Sequence, residues 1–354
     1  MRLLITGGAG FIGGSLIREL LKNKEYKIYN IDKISYASDT RGIDDTITNL
    51  INHAEYHLLK INLEDKQAVD EAINISNPDI IIHLAAESHV DRSIQGPSKF
   101  IQSNIIGTFN LLESARKHWI NLDKKRKNIF RFLHISTDEV FGSLDKDGFF
   151  SEESPYKPTS PYSASKAASD HLVKSWHHTF GLPVLITNCS NNFGPWQFPE
   201  KLIPLTILKA FKQQEIPVYG NGLNVRDWLY VKDHIKALIL VLKKGAIGET
   251  YCIGGFGERT NIEVVEKICE IMNRKKPLSS SYKDLITFVK DRPGHDKRYS
   301  INSDKIRNNL GWFPELDFEY ALEQTVDWYL SNLEWCDSIC LKSGYTGERL
   351  GILE

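Results

Sequence analysis

Up to about Asn188, short apolar runs alternate with amphipathic stretches. Arg2–Thr6 has the length and character of a strand, and the glycine-rich Gly7–Gly13 leads from it into a helical pattern over Gly14–Leu21. Further strands are predicted at Lys27–Ile31, Tyr56–Lys60, Asp79–His83, Ile129–Ser136 and Pro183–Asn188, and helices at Gln67–Ile75, Phe100–Arg116 and Ser163–Thr179. Strands alternating with helices at this period predict an α/β fold with a doubly wound parallel sheet of the Rossmann type.

After Asn188 the pattern changes. Pro195, Pro199, Pro204, Pro217, Gly220 and Gly222 punctuate the chain, and helical patterns at Ile203–Gln213, Ile262–Met272 and Tyr320–Leu330 stand between loops. We expect a dinucleotide-binding domain over 1–188 and a smaller mixed α/β substrate domain over 189–354, laid across the carboxyl edge of the sheet. Part of 227–255 is expected to return to the first domain. The basic stretch Lys117–Lys127 reads as a solvated loop. The polar stretch 39–55 reads as a surface helix or loop near the adenosine end of a dinucleotide. No internal repeat or low-complexity segment is visible.

Composition narrows the function classes. A chain of 354 residues can bury a large core, and 41% hydrophobic with 25% charged residues is typical of a globular protein. A net charge of −1 gives no electrostatic case for nucleic acid or an anionic membrane. The apolar runs fall well short of the ~20 residues a membrane span needs. With a strand beginning at Arg2, no targeting peptide is expected, and the expected location is the cytoplasm. Cys189, Cys252, Cys269, Cys336 and Cys340 lack paired metal-ligand spacing, so free thiols and no metal site are expected.

The candidate chemistry begins at the first turn. Gly7, Gly10 and Gly13 fit G-x-x-G-x-x-G between a strand and a helix, where backbone N–H groups can approach a pyrophosphate at the helix N-terminus. Asp32 ends the second strand, where a carboxylate accepts from a ribose diol and repels a 2′-phosphate. NAD is therefore favoured over NADP, although Lys33 stands beside it. His83-Leu84-Ala85-Ala86-Glu87-Ser88 closes the fourth strand with small residues against which a cofactor can lie.

Tyr162 and Lys166 are four apart, one helical turn on the same face. A lysine ammonium and an oxidised nicotinamide nearby would lower the tyrosine's pKa from about 10. Thr137 supplies the hydroxyl after the fifth strand, and the three together suit oxidation of an alcohol. Asp138 and Glu139 add a further step. Oxidising a sugar C4 hydroxyl acidifies the C5 hydrogen; one carboxylate can remove it while the other protonates a leaving C6 hydroxyl. Like charges side by side push their pKa values apart, which favours that division. Neighbours on a strand point to opposite faces, so both can reach one sugar only if the strand has ended by Thr137.

These motifs resemble the extended short-chain dehydrogenase/reductase superfamily, and within it the dTDP-glucose 4,6-dehydratase family. The similarity runs nearly end to end. It is carried by Gly7–Gly13, Ala85–Ser93, Ser136–Gly142, Tyr162–Lys166, Asn188–Leu205, Tyr219–Asp233 and Asp291–Tyr299. The resemblance implies a hydro-lyase that converts dTDP-glucose to its 4-keto-6-deoxy form with a tightly bound, internally recycled NAD. It implies catalysis by Thr137, Asp138, Glu139, Tyr162 and Lys166, with Glu139 the C5 base and Asp138 the acid at C6. The implied cofactor contacts add Phe11, Ile12, Ser35, Asn62, Leu63, Leu84, Ser88, Ser103 and Asn192 to the residues above. The implied substrate contacts are Ser88, Thr137, Asn191, Lys201, Arg226, Asn261, Arg292 and His295. A homodimer is implied, with Phe100–Arg116 and Ser163–Thr179 as the natural interface helices.

The chain departs from the family at Phe141 and Phe193, where tyrosine is usual, and at Asn62, where aspartate is frequent. The C-terminal stretch Trp335–Glu354 matches loosely and contributes no expected site residue. UDP-glucose stays open as the substrate, because one methyl group is discriminated by only ~1–3 kcal/mol. A 4-epimerase shares Tyr162, Lys166 and NAD but has no need of the carboxylate pair. A non-catalytic NAD-binding regulator is the third reading.

Overall fold

A computed structural model describes residues 1–50 and 55–351. Seven parallel strands form the main sheet, in the order β10-β6-β5-β4-β1-β2-β3. They are β1 Arg2–Thr6, β2 Lys27–Ile31, β3 Glu55–Leu59, β4 Ile80–His83, β5 Arg131–Thr137, β6 Val184–Cys189 and β10 Thr250–Ile253. Leu3, Leu4 and Ile5 are buried, as are Ile80, Ile81 and Ile82, because helices cover both faces of a parallel sheet. The order reverses between β1 and β4, and at such a switch point the carboxyl ends of the strands leave a crevice.

The strands fall within two residues of their expected positions; the helix starts differ for identifiable reasons. The first helix is Phe11–Leu20, so Gly13 and Gly14 lie inside it. A Cβ at Gly13 would come within 2.3 Å of the Gly7 carbonyl oxygen, so only glycine lets this helix seat on the turn. The helix Pro161–Phe180 begins two residues before the expected Ser163. Ser160 accepts from the Ser163 N–H while Ser163 reaches back to Ser160, and Pro161 takes the first helical position. The expected single helix over Phe100–Arg116 is instead Pro97–Phe100, a π-helical turn Ile101–Ile106, and Gly107–Ile120. In that turn the Asn104 carbonyl accepts the hydroxyls of Thr108 and Ser169. Lys117–Lys127 is not a simple loop: its start belongs to that last helix, and Lys124–Ile129 forms a short helix capped by Asp123. In the polar stretch 39–55, Arg41–Asn49 is helical, and 51–54 lie outside the described residues.

Beyond β6 the chain builds β7 Asn191–Phe193, β8 Ile216–Tyr219, β9 Val225–Tyr230, β11 Glu258–Thr260 and β12 Ile286–Val289, paired as β11-β9-β7 and β12-β8. The helices Leu202–Phe211, Asn261–Lys275 and Phe318–Ser331 pack on one another over a second core that includes Ile207, Val265, Ile268 and Val326. Two later segments share the first core. One is the helix Val231–Lys244 with β10, through Ile235, Leu238, Tyr251 and Ile253; the other brings in Ile306 and Trp312. No described helix is long and apolar enough to cross a membrane.

Candidate active site

The carboxyl ends of β1, β2, β4, β5 and β6 open into a cavity of about 470 Å³ whose other wall comes from the later lobe. Every site residue expected from the sequence lines it, from Gly7 to His295.

The strand-end half is built largely from backbone. Gly7 holds φ +74°, and a Cβ there would lie 2.7 Å from the Ala85 backbone; the turn thus comes directly against the end of β4. No side chain caps the helix after Gly10, leaving the first-turn N–H groups around Phe11 and Ile12 available to an anion. Asp32 accepts from the Ala9 N–H at 2.9 Å, the Ile34 N–H at 2.8 Å and the Ser38 hydroxyl at 3.0 Å. A carboxylate offers about four acceptor sites, so one remains for a ribose hydroxyl. Lys33 is engaged by Glu87 at 2.7 Å and offers no free cation for a 2′-phosphate. Asn62 accepts the Glu64 N–H at 3.2 Å and stays in the wall with Leu63, Leu84, Ala85, Ala86, Ser35 and Ser103. These groups fit a dinucleotide of the NAD type.

At the centre, β5 ends at Thr137 and the chain enters a 3₁₀ turn, Asp138–Phe141. The strand alternation stops before the two carboxylates, so both face the cavity. Their surroundings differ. Burial pushes Asp138 well above the usual carboxylate range, and Glu139 and Asp227 add to the rise. Burial also holds Glu139 above its ordinary value, with Asp296 adding to the rise, but Arg292, Lys201 and Arg226 all work against it. Asp138 is pushed further up than Glu139, so Asp138 is the better proton donor of the pair and Glu139 the better base.

Tyr162 is buried beside them. Burial raises its pKa well above 10, and Glu139 and Cys189 raise it further, while the Thr137 hydroxyl acts the other way. The Lys166 Nζ donates to the Ile135 carbonyl at 2.9 Å. Burial lowers the pKa of Lys166, against which Asp170 works.

The other half is built from side chains carried on distant loops. Arg226 lies over the Tyr299 ring at 4.3 Å and donates to the carbonyls of Val225 and Asp296 at 2.7 and 2.9 Å. Arg292 donates to Asp91 at 2.7 Å, and its buried Nε has no partner. Lys201 reaches the Ser88 carbonyl at 3.4 Å. Three cations thus face a space with one directly paired carboxylate, an arrangement that suits a diphosphate. His295 meets Asp291 at 2.6 Å, yet burial, with Arg292 and Arg226 nearby, pushes it down to about 4 and leaves it neutral. Asn191 has a buried Oδ1 with no partner, whereas Asn192 is fixed by His234 at 2.8 Å and the Ser190 carbonyl at 3.0 Å. Asn261 begins the helix Asn261–Lys275 at the cavity rim. No group of three or more His, Cys, Asp or Glu among the described residues is disposed to hold a metal.

The sequence reading missed several wall residues. Asp91 holds both Arg292 and the Tyr219 hydroxyl, the latter at 3.0 Å. Glu200 holds Arg92 and the Tyr36 hydroxyl, each at 2.8 Å. The C-terminal stretch closes one side with Tyr345 and Gly347–Leu350, and Arg349 lies over the Tyr219 ring at 5.2 Å. Asp91 and Tyr219 fall inside stretches that carry the family resemblance; the C-terminal stretch had no comparable signal.

The sequence profile described as GDP-mannose 4,6 dehydratase matches residues 4–325. The dTDP-glucose 4,6-dehydratase of Escherichia coli is 48% identical, over 100% of both chains. A solved dTDP-glucose 4,6-dehydratase from Streptomyces venezuelae, with NAD and TYD bound, superposes with a TM-score of 0.86 at 38% identity, covering 96% of this chain and 100% of that one. The UDP-glucose 4-epimerase of Thermus thermophilus, in complex with NAD, has a TM-score of 0.81 but 26% identity, over 94% and 100% of the two chains. On its site geometry and its end-to-end similarity, the chain belongs to the dTDP-glucose 4,6-dehydratase family.

Proposed function

We propose that this chain dehydrates dTDP-glucose to dTDP-4-keto-6-deoxyglucose. The observation that carries this reading is the carboxylate pair on one turn beside Tyr162: two carboxylates and one cation, Arg226, act on Asp138, whereas three cations and one carboxylate act on Glu139. Lys201, Arg226 and Arg292 hold the diphosphate, and Ser88, Asn191, Asn261 and His295 complete the grip. When bound, NAD accepts hydride from C4 and returns it to C6, and its charged nicotinamide favours the Tyr162 phenolate. Tyr162, with Thr137, takes the proton of the C4 hydroxyl, and Lys166 stabilises the phenolate from the next helical turn. Glu139 then removes the C5 proton, now acidic beside a ketone. Asp138 protonates the departing C6 oxygen, which leaves as water, and Glu139 returns a proton to C5.

The test is NMR of the purified protein with dTDP-glucose in deuterated water, no NAD added. The expected product is a 4-keto-6-deoxy sugar carrying deuterium at C5. Inversion at C4 with the C6 oxygen retained would move the chain to the epimerases. Faster turnover of UDP-glucose would change the nucleotide.

Two further readings accompany the activity. Ile101, Ile106, Phe109 and Phe180 are exposed on the helical segments that flank one another, which supports a homodimer through them. A sedimentation mass of one 40.4 kDa chain would refute it. All five cysteines are free, which suits the reducing cytoplasm.

A further inference from the structure

Outside the cavity lining lies a fully buried carboxylate that the mechanism above leaves without a role. Asp170 stands one helical turn after Lys166. Four donors converge on it: His134 Nε2 at 3.1 Å, the Ser136 hydroxyl at 2.8 Å, the Tyr156 hydroxyl at 2.8 Å and Asn188 Nδ2 at 3.2 Å. They come from β5, β6 and the stretch before the helix. Burial opposes the charge, but His134, Lys166 and Ser136 outweigh it, and the carboxyl is held below its ordinary range. A buried charge with this many donors is costly to assemble and strongly oriented once assembled.

Two links run from Asp170 to the site. The first passes through Asn188, whose Nδ2 also donates to the Thr137 carbonyl at 3.0 Å. The carboxylate therefore orients the amide that holds Thr137 where β5 gives way to the carboxylate turn. The second is charge. Lys166 is 4% exposed and has a neutral carbonyl as its hydrogen-bond partner. The titratable groups around the two are His83, His134, Tyr156 and Cys189. Burial lowers both histidines, His134 to about 4; it raises Tyr156, and raises Cys189 to about 12. All four are neutral at pH 7, and Tyr162, one turn before Lys166, is held well above its ordinary value, which leaves Asp170, among the described groups, as the anion that faces this ammonium.

We infer that Asp170 is a positioning residue for the proposed dehydration: through Asn188 it fixes Thr137, and from one helical turn away its buried carboxylate faces Lys166. The inference rests on the dehydratase reading.

The test is Asp170→Asn in the full-length enzyme, assayed with dTDP-glucose across pH. The expected result is a kcat loss of about 10–100-fold with KM within about two-fold. The pH optimum should move about one unit toward acid, because without the carboxylate the buried Lys166 loses its proton at lower pH. Tyr156→Phe removes one donor but keeps the carboxylate, and should leave the optimum in place. A loss in Asp170→Asn that is equal at every pH, or one confined to KM, would overturn the inference. Should that variant fail to fold, Asn188→Ala decides: a lower kcat with KM held supports the link to Thr137, and an unchanged kcat overturns it. Wild-type turnover in the same buffers separates the two readings. No 4-keto-6-deoxy product from wild type refutes the dehydratase and this inference with it; normal turnover with matching wild-type and Asp170→Asn profiles refutes Asp170 alone.

Discussion

The two halves of the cavity handle charge in opposite ways. At the strand ends the charges are answered within the protein: Lys33 meets Glu87, and Asp32 accepts three short-range donors. Across the cavity, Lys201 and Arg226 rest on carbonyl oxygens, and Arg292 has Asp91 but keeps a bare buried Nε. The first half is a shaped backbone surface that needs few side chains. The second is an excess of positive charge maintained in a buried setting, which is costly until an anion arrives. Asp138 and Glu139 sit on the seam and divide accordingly: Arg226 pulls on both, while Lys201 and Arg292 act on Glu139 alone of the two.

Four variants test this contrast. Glu139→Gln removes the proposed base, on which three cations of the second half act. Overall turnover should fall by about 10²–10⁴-fold, while reduced-nicotinamide absorbance still appears on mixing with substrate. Normal product formation would show that the base lies elsewhere. Next in size, Arg292→Gln should raise KM for dTDP-glucose about 10–100-fold, or ~1.4–2.8 kcal/mol, with the amount of retained NAD unchanged. Loss of NAD along with substrate affinity would break the division into halves.

Asp138→Asn probes the seam through stability. The carboxyl titrates near 3.9 when unfolded and well above that when folded, so the folded state holds the extra proton. Its stability contribution is full below the unfolded value and declines as pH rises through the folded one. The asparagine variant should therefore melt about 2 °C higher at neutral pH, and the gain should vanish near pH 3–4. A gain that persists in acid would point to packing instead of ionisation. Smallest of all, Lys33→Ala should change retained NAD by less than about two-fold, because the lysine is answered by Glu87 and partly exposed. A large loss would mean that this half, too, relies on side-chain charge.

Much of the cofactor half was legible before folding was considered. β1 and β2 have their expected bounds, and Gly7, Gly10, Gly13 and Asp32 lie where a strand-turn-helix period puts them. The Tyr162–Lys166 spacing was equally readable, because four residues along a helix fix a shared face whatever else surrounds them. The electrostatics were less readable: nothing along the chain shows that burial, Glu139 and Cys189 raise the tyrosine's pKa before a charged nicotinamide is bound. The substrate half was known only by resemblance. Nothing in the neighbourhood of Arg292 announces that it meets Asp91, 201 residues away, and nothing in Tyr345–Leu350 announces a cavity wall.

What depends on nearest neighbours is written along the chain: the parallel α/β framework, the glycine turn, the acidic residue after β2 and the residue types of the reaction. Tertiary structure alone decided that β5 stops at Thr137 so that both carboxylates face one space. It also decided how many cations each carboxylate meets, how Asp170 reaches Thr137 through Asn188, and that Tyr345 and Gly347–Leu350 close the wall. The reason is range. Backbone geometry and helix period act over a few residues, whereas burial and Coulomb interaction depend on groups that only folding brings together.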